Sequence, residues 1–379
     1  MNKYAVYKSD NYENIYSAIV KNFEAHNIKE ELSPDMHVVI KANLVTDKNP
    51  AFSVTTNPDF IYAIIKYLKE IGIKKITVAD CPGGALLLFS KMREVYSKCG
   101  YLFLEEYSNL NVDFTSVRVN CDADFKNKYF NIIKVVADAD YIINAVKFKT
   151  HNATCITAGV KNIFGCIPGL EKPEFHAKYP NINDFSNMLV ELTATVKPDF
   201  TIVDAVDIME GNGPTNGQRR HLGLTFSSKD VFGIDKFIAE KLGIPVEKIP
   251  TIKASENKGF ISSEYETAGD TEFVPDKPII LPEVISATSR SKKSEARIKF
   301  IFNKITNNFI KKIPEINSKC TRCCKCVMTC PAKALKNSSD KIILDKSLCI
   351  GCFCCDEVCP NHAINIVKKL NLKIIGKHL

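Results

Sequence analysis

Cys320, Cys323, Cys326 and Cys330-Pro331 form a C-x2-C-x2-C-x3-C-P run, and Cys349, Cys352, Cys355 and Cys359-Pro360 repeat it. No other feature of the chain constrains its fold so tightly. In such a run three thiolates hold one cubane iron-sulfur cluster and the fourth crosses to a second, so two runs interlock. The expected ligands of one 4Fe-4S cluster are Cys320, Cys323, Cys326 and Cys359, and of the other Cys349, Cys352, Cys355 and Cys330. Zinc is the competing reading, but it needs only four ligands in two CxxC pairs, and gives no reason for a third Cys and a Cys-Pro in each run. Cys324 and Cys354 are surplus. Either could replace a neighbour if its loop shifted by one residue, but that would break the two-residue spacing, so both are expected to be non-ligand thiols.

Residues 319–369 resemble a bacterial two-cluster ferredoxin, with Pro331-Ala332-Lys333-Ala334 matched by Pro360-Asn361-His362-Ala363. At 379 residues and 45% hydrophobic content, the chain is long enough for one large domain besides this small one. The N-terminus lacks a basic stretch followed by an apolar one, and no run approaches the ~20 apolar residues of a membrane span. Ten of the fifteen Cys lie in the cluster segment, and oxygen-labile clusters go with a reducing interior. A cytoplasmic protein of an anaerobic host is therefore expected.

The formal charge of +8 is unevenly placed. Residues 285–319 carry nine Lys or Arg against Glu295 and Glu315, and four more Lys follow Cys359. The pattern Ile298, Phe300, Ile301, Ile305, Phe309, Ile310 within 289–312 predicts a basic amphipathic helix. Nucleic acid or a membrane surface could use it, but no binding motif accompanies it, and a solvated linker is the expectation. The expected organisation is an α/β domain over 1–285, a linker helix over 286–318, the cysteine module over 319–369 and a basic tail over 370–379.

Apolar runs at Ala5–Tyr7, Val38–Ile40, Ile76–Ala79, Tyr141–Val146 and Phe200–Val203 predict buried strands, and helical patterns fall at 11–25, 58–70, 86–98, 184–196 and 230–242. This alternation predicts an α/β fold, a mainly parallel sheet with helices on both faces. Ligands of such sheets sit at the carboxyl ends of strands.

Four strand ends carry unusual residues. Lys41-Ala42-Asn43 follows the second strand; Asp80-Cys81-Pro82-Gly83-Gly84 follows the third and could present backbone amides to an anion, or be a tight turn capped by Asp80. Cys81 there is either a thiol of lowered pKa or a small core residue. Lys147, Lys149 and His151 alternate after Tyr141–Val146, so they share a face if the strand continues. A small-residue helix over Ala153–Gly159 is expected next, then Lys161-Asn162-Ile163-Phe164-Gly165. Finally Phe200–Val203 runs into Asp204, Asp207 and Glu210 and the turn Gly211-Asn212-Gly213-Pro214. Three carboxylates could hold a divalent cation or act as acid and base, but share a face only if helical. His176 and Asp184 lie between these turns.

Together these segments resemble the domain-of-unknown-function 362 family, uncharacterised iron-sulfur center proteins often fused to a ferredoxin module. The resemblance puts Lys41, Asn43, Asp80, Lys147, Lys149, His151, Lys161, Asn162, Asp204, Glu210 and Gly211 on the family's motif positions. Where the family has Gly after the strand-end Asp, this chain has Ala205.

Two functions of different class follow. One is an oxidoreductase that passes single electrons between the clusters and an anionic substrate or cofactor, with Lys147, Lys149, His151, Lys161 and Asp204 as catalytic candidates. Its ligand would be held by Lys41, Asn43, Asp80, Gly83, Gly84, Asn162, Glu210 and Gly211. The other is a non-catalytic electron carrier or iron-sulfur delivery protein that docks a partner. Grouping of Lys, His and Asp at strand ends favours the enzyme. A ferredoxin or flavoprotein is the expected electron partner.

Overall fold

The structure, a computed structural model, describes residues 1–83, 91–169, 171–283 and 310–370. Its centre is a nine-stranded sheet made of β1 (Asn2–Lys8), β2 (His37–Lys41), β3 (Lys75–Ala79), β4 (Asn109–Leu110), β7 (Tyr141–His151), β8 (Cys155–Thr157), β9 (Phe200–Glu210), β10 (Gln218–Ser228) and β11 (Tyr265–Gly269). The order is β11-β1-β10-β9-β7-β2-β3-β4, with β8 folded back on β7. The central pairs β9-β7, β7-β2, β2-β3 and β3-β4 are parallel, while β10 runs antiparallel to both β9 and β1. A separate hairpin pairs β5 (Ser116–Asn120) with β6 (Tyr129–Ile133).

Each predicted strand lies inside an observed one, and β7 and β9 run on to His151 and Glu210. Period-two alternation divides their side chains between two cores. Val38, Ile40, Ile143, Ala145, Phe200 and Ile202 pack with the helices Ile15–Ala25, Pro58–Glu70 and Met92–Lys98. On the other face, Val39 and Ile142 pack with helix Ile182–Val196, and Val146, Phe148 and Val203 with helix Gly233–Lys241. The helices begin where capping chemistry allows. Asn57 and Asn181 each accept from the amide two residues on, at 2.8 Å, and Gly72, at φ +95, ends Pro58–Glu70.

Two expected helices are corrected. Ala153–Gly159 contains strand β8, paired antiparallel with β7 through Lys149↔Thr157 and His151↔Cys155. Thr154, Ile156 and Thr157 are β-branched, and the His151 ring accepts from the amides of Ala153 and Thr154, which tightens the turn into a hairpin. Most of the expected linker helix, 289–309, lies outside the described residues. Its last part is strand β12 (Ile310–Ile316), paired antiparallel with β15 (Ile364–Leu370). Pro314 fits there because each member of a two-stranded ladder is an edge strand. A second small ladder joins β13 (Leu335–Asn337) to β14 (Ile342–Leu344). Among the described residues no helix is long and apolar enough to cross a membrane.

Candidate functional site

The backbone of the cysteine module repeats itself with the sequence. Arg322, Cys324 and Lys333 have positive φ, and so do Gly351, Phe353 and His362, their counterparts in the second run. Ala334 N donates to Cys330 Sγ at 3.2 Å and Ala363 N donates to Cys359 Sγ at 3.3 Å. Two small cavities result. Cys320, Cys323, Cys326 and Cys359 line one, with Cys324 beside them; Cys330, Cys349, Cys352 and Cys355 line the other, with Cys354 beside them. Burial pushes the Cys326 thiol up to about 12, with Cys359, Cys323 and Cys320 adding to it. Such a group is relieved when iron replaces the protons. Among the described residues no three Cys, His, Asp or Glu converge on a point where one ion would sit. The thiols are spread around two spaces and are not gathered on one point.

A third cavity, of about 90 Å3, lies where this module meets the strand ends of the α/β domain. Asn43, Asp80, Gly83, His151, Lys161 and Asn162 line it from the α/β side, and Thr329, Cys354 and Glu357 from the module. Six of the expected residues are therefore brought together. Lys41 lies beneath them, 2.8 Å from Asp80, and Leu44 N donates to Asp80 at 2.5 Å. A Cβ on Gly165 would stand 2.0 Å from Asp80 Oδ1, so only glycine can close over this pair. Asn162 accepts from Asn43 at 2.7 Å and donates to Asn144 at 2.8 Å. Lys149 donates to Asn43 Oδ1 and the Val54 carbonyl, and burial pushes its ammonium well below its ordinary value.

His151 closes the seam between the two units. Its Nδ1 accepts from Ala153 and Thr154, which leaves the proton on Nε2, 3.2 Å from Glu357 Oε1. Burial lowers the ring's pKa, against the pull of Glu357. For Glu357 burial acts upward, but His151 and Lys161 outweigh it and hold the carboxyl at about 2. Beside it Asp356 accepts from Asn152 at 3.0 Å and from Asn216, and Lys48 donates to His362 at 2.7 Å.

The remaining expected residues lie elsewhere. Lys147 and Asp204 face each other across β7 and β9 at 2.9 Å, fully buried, with Tyr12 bonded to both. Asp204, Asp207 and Glu210 form no cation site, because they lie along a strand and each has its own partner: Lys147, Arg219 at 2.6 Å and Arg220 at 3.2 Å. Glu210 accepts from Ile280 N and Gly211 donates to Ile280 O, so both fasten the segment around Ile280. Cys81, by contrast, lies at the cavity wall as a buried thiol: burial pushes it up, and Gly169 N donates to it at 3.0 Å. Gly84 lies outside the described residues.

Phe164, Lys172, His176, Thr329 and Glu357 also line the cavity and were not among the expected site residues. Thr329 and Glu357 reach it only because the module docks, which no local pattern announces. Of the module's residues at the cavity, Cys354 carried a signal, as a thiol the cluster spacing does not use.

Asp235 positions Lys161 from outside the cavity by accepting from Gly159 N at 2.6 Å and Val160 N at 3.2 Å, where the helical turn Gly159–Asn162 begins. Burial pushes its carboxyl up to about 7, the two amides opposing. A folded-state pKa above the unfolded value makes its contribution to stability largest below about pH 4, and loses it as pH rises through about 7. The wild-type melting temperature, measured relative to Asp235→Asn, is expected to fall by several degrees between pH 5 and pH 7.5. An unchanged difference would show that the carboxyl is not protonated in the fold.

The fold and its cavities define an α/β protein carrying a cysteine module built like a small electron-transfer protein. Residues 38–240 match a family described as Domain of unknown function (DUF362), and the chain belongs to that family. It is 35% identical over 231 residues to the thylakoid-associated protein sll1697 of Synechocystis sp., covering 60% of this chain and 70% of that one. The module is similar to a ferredoxin and to part of an oxidoreductase subunit. It is 46% identical over 39 residues to a ferredoxin of Alicyclobacillus acidocaldarius, 10% of this chain and 50% of the ferredoxin. It is also 41% identical over 54 residues to the indolepyruvate oxidoreductase subunit IorA of Archaeoglobus fulgidus, 14% of this chain and 9% of that subunit.

Proposed function

We propose that this protein is an oxidoreductase that moves single electrons through two 4Fe-4S clusters to a small anionic ligand held against the second. One observation carries this reading: the cavity at the strand ends is walled jointly by the α/β domain and by Cys354, Thr329 and Glu357 of the cysteine module. A carrier that merely docked a partner would not need its own redox module to complete an internal pocket. Cys320, Cys323, Cys326 and Cys359 would hold the first cluster, and Cys330, Cys349, Cys352 and Cys355 the second. Such clusters supply one-electron chemistry at potentials set by charge, hydrogen bonds to sulfur and exposure.

The chain's own residues give the route a direction. Cys323 is exposed, flanked by exposed Lys319 and Arg322, so the first site faces external, acidic carriers such as a ferredoxin or flavoprotein. Cys354 and Cys355 are buried, so the second site faces inward. A reducing compartment such as the cytoplasm suits both.

Blocking the pocket tests the reading. Gly83 lines the cavity and a Cβ there would meet nothing within 4 Å, so Gly83→Phe is expected to obstruct the pocket, with circular dichroism as the check on its fold. Reduced, reconstituted protein is mixed with the low-molecular-weight fraction of a cell extract, and recovery of cluster absorbance is followed. Wild type is expected to reoxidise about tenfold faster or more than Gly83→Phe. Equal rates would favour the non-catalytic carrier.

A further inference from the structure

The charges around the cavity do not all find partners within it. Asp80 is held by Lys41 at 2.8 Å and Glu357 by His151 at 3.2 Å, while Lys172 donates to the Cys81 carbonyl. Lys161 remains. Its charge helps to hold the Glu357 carboxyl low, but among the described residues no carboxylate or carbonyl hydrogen-bonds to it, and its Nζ lies 5.2 Å from the centroid of the Phe164 ring. On the module's side Thr329 is 6% exposed, and its Oγ1 has no hydrogen-bond partner among the described residues. A partly buried ammonium and a buried hydroxyl left open are both costly unless a ligand satisfies them. A carboxylate satisfies both, since one oxygen can accept from each.

Size narrows the class. The cavity of about 90 Å3 is smaller than one that takes benzene, at ~150 Å3. The rest of the wall, with Phe164, His176 and Pro214, suits a short apolar body. Cys354 lines both this cavity and the one around Cys349, Cys352 and Cys355.

We propose that the pocket seats a small carboxylate of roughly two to four carbons, its oxygens on Lys161 and Thr329, with the Cys354 thiol between it and the second cluster site. The seat deepens the redox reading by naming its ligand, but binding needs no reductant, so the two can fail separately.

The test is calorimetric titration of oxidised, reconstituted full-length protein with acetate, propionate, butyrate and pyruvate, with chloride as the salt control. At least one carboxylate is expected to bind at submillimolar concentration, about tenfold or more weaker in Lys161→Met and severalfold weaker in Thr329→Val. Gly83→Phe is expected to abolish binding, and a bound carboxylate is expected to shift the electron paramagnetic resonance lines of the reduced second cluster. Binding unchanged by Lys161→Met, binding that survives in Gly83→Phe, or no binding of the four overturns the seat. Binding with these losses but without reductant-dependent turnover supports the seat and sinks the redox reading. Turnover of some other ligand class, indifferent to Lys161→Met, overturns the seat alone.

Discussion

Replacing Cys330 with alanine is expected to remove the cluster built on Cys349, Cys352 and Cys355 and to spare the one nearer in sequence. Cys330 belongs by position to the first run, yet it lines the cavity of the second, and Cys359 makes the reverse crossing. Reconstituted wild type should hold about eight iron and eight acid-labile sulfide per chain, and Cys330→Ala about four of each. Paramagnetic resonance of the reduced variant should show one cluster without its partner. Cys324→Ala and Cys354→Ala should keep the full complement. Cys324 donates to the Arg322 carbonyl at 3.3 Å, and Cys354 lies between the second cysteine cavity and the strand-end cavity, outside the two-residue spacing of the run. Loss of the first cluster in Cys330→Ala, or of either cluster in Cys354→Ala, would overturn the assignment.

Breaking the buried pair between β7 and β9 should have the largest effect on stability. Lys147→Met leaves Asp204 fully buried with only the Tyr12 hydroxyl and the amides of Asn57 and Val206 to bond it. Removing one member of a buried pair costs about 3–5 kcal/mol, because the other charge is left without compensation. Lys147→Met with Asp204→Leu should recover much of that loss, since two apolar groups of similar volume need no partner. Urea unfolding followed by circular dichroism measures both. Lys147 and Asp204 also stand among the catalytic candidates, so the outcome divides two roles. If Lys147→Met costs under about 1 kcal/mol and abolishes turnover, the pair is chemical and not structural.

Much of this arrangement was legible in the chain. Four of the five strands, β2, β3, β7 and β9, could be read because parallel central strands are apolar on both faces, and the cysteine spacing could be read because cluster geometry fixes it. Lys147, Lys149 and His151 were correctly placed on one face by period two. Their separation into different environments was not visible: Lys147 meets Asp204, Lys149 meets Asn43, and His151 reaches Glu357. Which neighbour a strand residue meets depends on sheet order, a non-local property. The β8 hairpin was mistaken for a helix because small residues at 153–159 carry little periodic signal. The start of β12 falls inside the expected helix because Ile310 continues the apolar pattern of 298–309, and only pairing with β15 decides the matter.

Strands β12 and β15 carry the chain into and out of the cysteine module, and they lie side by side from Ile310↔Leu370 to Ile316↔Ile364. A unit whose two ends are neighbours asks little of its host, since it can be gained, lost or exchanged at a single point in a gene. Among the described residues, hydrogen bonds across its seam include those of Asn152, Asn216, His151 and Lys48 on the host with Asp356, Glu357 and His362 on the guest. Refitting these would let one α/β scaffold exchange its cysteine module during descent while keeping the residues at its own strand ends.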